Sequence, residues 1–272
     1  MIVIEDMLTE PVACIKAYAL AQLQRAIVCL GWRGSRAHSG VHQARKSMRR
    51  VRACLALGES ALGAGADMID RELAKICESL SCLRDAKARV ESLDRLLTSH
   101  AEIEIQRCLH AAKRLALNAR ADAMRNEQAI DPNFLTRRER LQVLAGAIPV
   151  LHWKQISHTG LSRSVHHSMY ACDEAAEIAL STGKAKDWHR LRRRRRRLAQ
   201  QHTALEQCDI LLPSILVPDH KLGSLLGEAQ DLSVLREFFK HHPGLSIENK
   251  VRLRIFLKQE FKQLSAQSMG KK

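Results

Sequence analysis

The chain is poor in aromatic residues, glycine and proline. Of its 272 residues, 4% are aromatic, 13 are glycine and 6 are proline. β-Strands are enriched in aromatic and β-branched residues. The amino-acid composition of this chain is instead rich in leucine, alanine and arginine. The composition therefore favours an all-α fold.

The eight cysteines lack the spacing of a metal site or a disulfide framework. They are dispersed through helical patterns with no Cys-x-x-Cys pair, at positions 14, 29, 54, 77, 82, 108, 172 and 208. Zinc sites and redox motifs commonly use such pairs. We therefore expect structural cysteines that pack as small apolar side chains.

The sequence also shows no clear membrane span. Residues 1–6 contain no basic leader before an apolar stretch, and no run approaches the roughly 20 apolar residues that cross a bilayer. We expect a cytoplasmic protein.

Acidic residues are outnumbered, 29 against 44 Lys and Arg, which gives a net charge of +15. The expected partner is a polyanion: nucleic acid, an anionic membrane surface or a chain of phosphates.

A basic motif occurs twice in the chain. The first copy is VHQARKSMRRVR over residues 41–52, and Asp85 follows His42 by 43 residues. The second is WHRLRRRRRRL over residues 188–198, and Asp231 follows His189 by 42 residues. Two copies of one spaced pattern indicate an internal duplication.

Each copy is two-faced when it is drawn as a helix with about 100° per residue. In the first copy the cations gather on the side of His42, and Ala44, Met48, Val51 and Leu55 lie opposite. A row of four or five cations is self-repulsive unless anions or carboxylates neutralise it. Arginine suits phosphate because its planar group donates several hydrogen bonds at once.

Apolar periodicity predicts helices throughout the chain, with a break at residues 131–133. The first half contains a long helix of roughly thirty residues that ends near residue 97, beyond the usual helix length. About four helices per half predict two four-helix bundles related by a pseudo-twofold axis. The helices are predicted near 9–30, from 39, through 69–97, at 100–128, 136–153, 160–181, 185–211, 219–241 and 246–267.

The order of these elements resembles the CHAD family, the conserved-histidine α-helical domain. The resemblance is carried by His-x-x-Arg-[Lys/Arg]-x-x-Arg-[Arg], a later Leu-Arg-Asp or Gln-Asp-Leu element, and a second copy of both. It implies a single CHAD domain over residues 5–268, with repeat one at about 5–130 and repeat two at about 134–268, around a basic central groove or pore. It also implies non-catalytic binding of inorganic polyphosphate and, as in some bacterial members, association with polyphosphate or polyhydroxyalkanoate granules.

The motif positions give the residues that the resemblance implies for polyphosphate binding. Asp85 and Asp231 are implied as supporting carboxylates, and Arg52 joins the set from the flank of the basic face. Two features depart from the family pattern: Arg195 stands where the first copy has Met48, and the strands of an accompanying CYTH domain have no counterpart. The implied binding residues are His42, Arg45, Lys46, Arg49, Arg50, Arg52, His189, Arg192, Arg193, Arg196 and Arg197.

Two alternative functions are left open. A metal-dependent phosphohydrolase could draw on 13 histidines. However, we expect Ser39 and Gly40 to break the helix between His38 and His42, and adjacent histidines on a helix point in different directions. No glycine-rich phosphate loop or nucleophile motif is present, so we expect no enzyme, metal or cofactor. A nucleic-acid-binding helical protein is the second alternative, although only Trp188 is placed for base stacking.

Overall fold

The computed structural model describes residues 9–212 and 219–269, which form ten α-helices and no β-strand. The all-α class predicted from composition is confirmed. Residues 5–8 of the predicted domain lie outside the described residues. The helices are α1 (Thr9–Leu30), α2 (Ala37–Leu57), α3 (Glu59–Ser79), α4 (Ser81–Ser99), α5 (Ile103–Ile130), α6 (Leu135–Ala147), α7 (His158–Thr182), α8 (Ala185–Glu206), α9 (His220–His241) and α10 (Ile247–Met269).

The predicted long helix through residues 69–97 is wrong, because the chain breaks at Leu80 between α3 and α4. Leu80 has φ −93° and ψ 6°. The hydroxyl of Ser79 donates to the carbonyl oxygen of Ile76 and accepts a hydrogen bond from Arg137 Nε, each at 2.9 Å. Five described α-helices therefore precede residue 131 and five follow it, instead of about four in each half.

The helices form two compact units, and each unit takes segments from both halves of the sequence. The first unit contains residues 9–80, 130–178 and 193–212, and the second contains residues 81–129, 179–192 and 219–269. Helix α8 contributes to both, because the division falls inside its arginine run. The two predicted repeats divide the chain differently, and the pseudo-twofold axis stays a prediction.

The first unit is built on the packing of α1 against α2. The apolar side predicted for α2 is confirmed: Ala44, Met48 and Val51 are fully buried and Leu55 is 3% exposed. Burying such side chains stabilises a helix by about 1.5–3 kcal/mol each. This seam fixes the direction in which the basic residues of α2 point.

Helix α1 bears most directly on the expectation that the chain has no membrane span. Over Pro11–Leu30 it is long and apolar enough to be a candidate span, the one such helix among the described residues. Its apolar side is nevertheless occupied, because Ile15 and Leu23 are fully buried in the first unit. Gln24 and Arg25 are exposed on another side. A one-sided stripe of this kind is typical of a core helix.

One pair of cysteines departs from the expected structural role. Cys14 and Cys208 form a disulfide within the first unit, with their Cα atoms 5.5 Å apart. Burial raises the pKa of the Cys54 thiol to about 12 and that of Cys172 to about 11. These thiols stay neutral at physiological pH, as expected for structural cysteines. The other free cysteines are Cys29, Cys77 and Cys108, which are buried, and Cys82, which is exposed.

Gly40 permits the close approach of α1 and α2 and provides a test of this packing. A Cβ atom at Gly40 would lie 2.2 Å from the carbonyl oxygen of Cys29. We predict that Gly40→Ala lowers the free energy of unfolding by about 1–3 kcal/mol, because the backbone of α1 must move. Gly146→Ala is the control, since its added Cβ meets nothing within 4 Å. Urea unfolding measures both, and equal stability of the two variants would contradict the packing argument.

Candidate anion-binding site

The basic residues of α2 lie away from the apolar seam in the first unit. Lys46 is exposed, and His42, Arg49 and Arg50 are half-buried. Arg45 differs from them, because it is only 8% exposed. The basic face of α2 is therefore partly enclosed, and its inner edge holds a buried guanidinium group.

Arginines of both motif copies approach Cys77 of α3. The Cys77 thiol is buried, and this burial raises its pKa, while the charges of Arg45, Arg49, Arg52 and Arg196 act in the opposite direction. Three of these arginines belong to α2, and Arg196 belongs to the part of α8 in the first unit. Salt screens exposed charges beyond a Debye length of about 8–10 Å, so charges that act on one thiol lie in the same region. The first unit thus brings cations of the two copies together, and we call Arg45, Arg49 and Arg196 the inner arginines.

A second accumulation of positive charge surrounds Lys46. Burial lowers the pKa of the Lys46 ammonium group, and the charges of Arg50, Arg25 and Arg49 lower it further. Arg50 Nη1 donates a hydrogen bond to Gln22 Oε1 at 3.2 Å, which positions that guanidinium beside α1. A lysine whose charged form is disfavoured by arginines marks an excess of positive charge. A bound anion would reverse this effect and favour the ammonium form.

Arg52 has a different role from its neighbours on α2. Its Nε and Nη2 atoms donate to the two carboxylate oxygens of Asp70 on α3, at 2.8 Å and 2.9 Å. Burial lowers the pKa of Arg52, but the hydrogen bonds and charge of Asp70 raise it more, so the net shift is upward. Arg52 was predicted as a ligand-binding residue, but its charge is neutralised by Asp70.

Helix α8 presents its arginines in several directions. Arg193 is exposed, and Arg195, Arg196 and Arg197 are half-buried. Arg195 stands where the first copy has the buried Met48, and it lies close enough to Cys172 of α7 for its charge to lower the pKa of that thiol. The departure noted in the sequence is therefore accommodated by partial exposure of Arg195 next to α7.

The second unit holds the first residues of the second copy together with both predicted carboxylates. Asp231 pairs with Arg84 and Arg95, with nitrogen–oxygen distances of 3.6 Å and 3.9 Å, and Arg84 Nε lies 2.9 Å from Asp85 Oδ1. Burial raises the pKa of Asp231, against the lowering effect of Arg192, Arg84 and Arg95. Burial lowers the pKa of Arg192, and the charges of Asp231 and Asp85 oppose that shift. Both aspartates therefore lie at Arg192.

His189 is positioned by a glutamine next to Asp231. Its Nδ1 atom lies 2.7 Å from Gln230 Oε1. Because that oxygen only accepts, Nδ1 carries the hydrogen and the ring has a fixed orientation. Arg192 lies against Gly227 of α9, where an added Cβ would be 3.5 Å from its Nη2. Sequence reasoning missed Gln230, Arg84 and Arg95, although Arg84 stands inside the Leu-Arg-Asp element that the motif marks.

The cationic side chains of this site can hold an anion through electrostatic attraction and hydrogen bonds. Guanidinium groups donate paired hydrogen bonds to phosphate oxygens, and these bonds are stronger than those between neutral groups. The expected helix break at Ser39 and Gly40 is wrong, because α2 runs from Ala37 through both His38 and His42. Within residues 9–212 and 219–269, no group of three or more His, Cys, Asp or Glu side chains is placed to hold a metal ion.

The fold and the paired basic motifs define an all-α protein with arginines gathered inside one unit. The family model for the CHAD domain matches residues 17–240, and the chain belongs to the CHAD family. The resemblance inferred from the motifs is thereby confirmed. No curated protein showed significant similarity to the sequence.

Two solved structures share this fold. PptA from Streptomyces chartreusis is similar with a TM-score of 0.63 and 18% identity, over 94% of this chain and 95% of the other. The crystal structure of the CHAD domain from the plant Ricinus communis is similar with a TM-score of 0.59 and 17% identity, over 96% of this chain and 92% of the other. At these identities the likeness concerns the fold alone.

The pairing of Arg52 with Asp70 can be tested by a double-mutant cycle. We predict that Arg52→Gln and Asp70→Asn each destabilise the protein and that their coupling is about 0.5–1 kcal/mol, because a bidentate pair lies at the upper end of partly exposed ion pairs. Urea unfolding of both single variants and the double variant measures the coupling. Strictly additive effects would show that the pair does not stabilise the fold.

Proposed function

We propose that this protein binds inorganic polyphosphate without catalysing its breakdown. The observation that carries the proposal is the approach of the inner arginines, from both motif copies, to one place at Cys77 in the first unit. Membership of the CHAD family supports the same ligand, because the motif resemblance implies polyphosphate binding.

A linear chain of phosphates suits this arrangement better than a single phosphate does. Each contact between a cation and a phosphate releases counterions, so affinity increases with the number of phosphates engaged. A chain that engages one cation also raises the effective concentration of its next phosphates at neighbouring cations. The inner arginines, Lys46 and Arg50 supply several such cations in one unit.

The carboxylates of the second unit have a supporting role in this proposal. Asp85 and Asp231 hold Arg192 and Arg84 in place and offset their charge. We propose that His189 and Arg192 form anion contacts of their own within the second unit. A cytoplasmic location and association with polyphosphate or polyhydroxyalkanoate granules complete the proposal, and the basic central groove stays a prediction.

The inner arginines provide the sharpest test. We predict that Arg49→Gln and Arg196→Gln each weaken binding of long-chain polyphosphate about tenfold, within the range of a charge-assisted hydrogen bond. Each should also lower the slope of log affinity against log salt by about 1. Titration calorimetry at several salt concentrations measures both quantities, and circular dichroism checks that helix content is kept.

Two sets of controls accompany this test. Arg107 and Arg125 of α5 are 77% and 72% exposed in the second unit, and Arg107→Gln and Arg125→Gln, tested singly, each remove one positive charge as the test variants do. Arg52→Gln should leave the salt slope unchanged because Asp70 already neutralises that arginine. A slope that falls equally in all variants would indicate a diffuse charge effect. Equal affinity for single-stranded DNA of the same charge would favour the nucleic-acid alternative.

We also predict that the protein does not hydrolyse its ligand. Arginine rows hold phosphates in place, but they do not activate water as a catalytic metal does. Incubation with long-chain polyphosphate and magnesium or manganese should release no orthophosphate above the rate in buffer, as measured by a colorimetric phosphate assay. Turnover that is abolished by substitution of His42 or His189 would contradict the binding-only function.

A further inference from the structure

A pocket of about 490 Å³ lies within the second unit between α9 and α10. Pockets that bind small organic molecules commonly have about 300–1,000 Å³. The residues that line it do not include His189, Arg192, Asp85 or Asp231. This pocket is therefore distinct from the carboxylate-braced residues described above.

Cations line the pocket from both helices. Arg236 and Lys240 are four residues apart on α9, and Lys250 and Arg254 are four residues apart on α10, so each pair lies along one side of its helix. Glu237 is the one carboxylate among the described lining residues, and its Oε1 lies 3.9 Å from Lys240 Nζ. Positive charge predominates in the pocket.

Two of the pocket cations, Arg236 and Arg254, differ from their neighbour Arg252. Arg252 forms ion pairs with Glu104 and Glu248, so its charge is balanced within the protein. In the part of the chain that the structure describes, neither Arg236 nor Arg254 forms an ion pair with a carboxylate. An anionic group in the pocket would therefore meet cations whose charge no described carboxylate offsets.

The floor of the pocket is apolar. Phe239, Leu253 and Leu257 line it and belong to the hydrophobic core of the second unit. Val251 also lines the pocket and is 51% exposed. Contact with apolar surface gives no advantage to a bare phosphate, whereas it stabilises a ligand that has hydrocarbon to remove from water.

We propose that this pocket is a second ligand site, for an organic anion with an aliphatic body, such as an alkyl or acyl phosphate. The anionic head lies between Arg236 and Arg254, and the hydrocarbon covers Val251 and the apolar floor. Family membership does not assign the site, because Lys250, Val251 and Arg254 lie beyond residue 240, where the family match ends. The site is independent of polyphosphate binding.

Three probes separate the contribution of the anionic group to binding from that of the hydrocarbon chain. They are octyl phosphate, inorganic phosphate and octanol. Titration calorimetry with the full chain should show that octyl phosphate binds at least tenfold more tightly than either of the others. The double variant Arg236→Gln, Arg254→Gln should weaken octyl phosphate binding at least tenfold. Lys258 and Lys262 are exposed on α10 outside the pocket lining, and their double Gln variant should stay within twofold of the unaltered protein.

A matched pair of apolar substitutions tests the floor. Val251 and Ile255 are 51% and 54% exposed on the same helix, but only Val251 lines the pocket. Val251→Ser should weaken octyl phosphate binding about fivefold, and Ile255→Ser should leave it unchanged. Neither change should alter polyphosphate affinity. Equal affinity for octyl phosphate and inorganic phosphate, or equal losses in the two serine variants, would overturn the proposal whether or not polyphosphate binds.

Discussion

Guanidinium groups that lie close together inside a folded unit repel one another, and the first unit depends on how this repulsion is balanced. Helix α2 holds Arg45 and Arg49 in place because its opposite side is a continuous buried apolar seam. Asp70 neutralises Arg52 beside them. Arg45, Arg49 and Arg196 all act on the Cys77 thiol, so an anion that binds beside them would also stabilise the fold.

Much of the fold could be predicted because burial of one helix side is a property of local sequence. The apolar spacing correctly indicated the helical class and the buried seam of α2. The break at Leu80 could not be found in this way, because Ile76, Leu80 and Leu83 are all buried and keep the same rhythm across it. At this break Ser79 accepts a hydrogen bond from Arg137, a residue 58 positions away.

The sequence pointed to the residue types of the candidate site, but it did not show which arginine pairs with which carboxylate. Arg52 stands at the flank of the basic row, and its partner Asp70 is a residue that no motif marks. Arg84 and Arg95 were missed because a motif gives positions along the chain and not the neighbours that packing supplies. Asp85 and Asp231 were singled out because their spacing from the two histidines repeats, and both lie near Arg192. Their supporting role in a ligand site stays a prediction.

The six consecutive arginines of α8 are not a uniform cationic rod. Arg192 and Arg196 are about one helical turn apart, but Arg192 lies with two aspartates in the second unit and Arg196 lies among arginines in the first. The charge of Arg192 is partly offset before any ligand arrives, whereas Arg196 adds to an excess. If α8 binds an anion as proposed, the aspartates beside Arg192 would oppose the attraction at that position more than at Arg196.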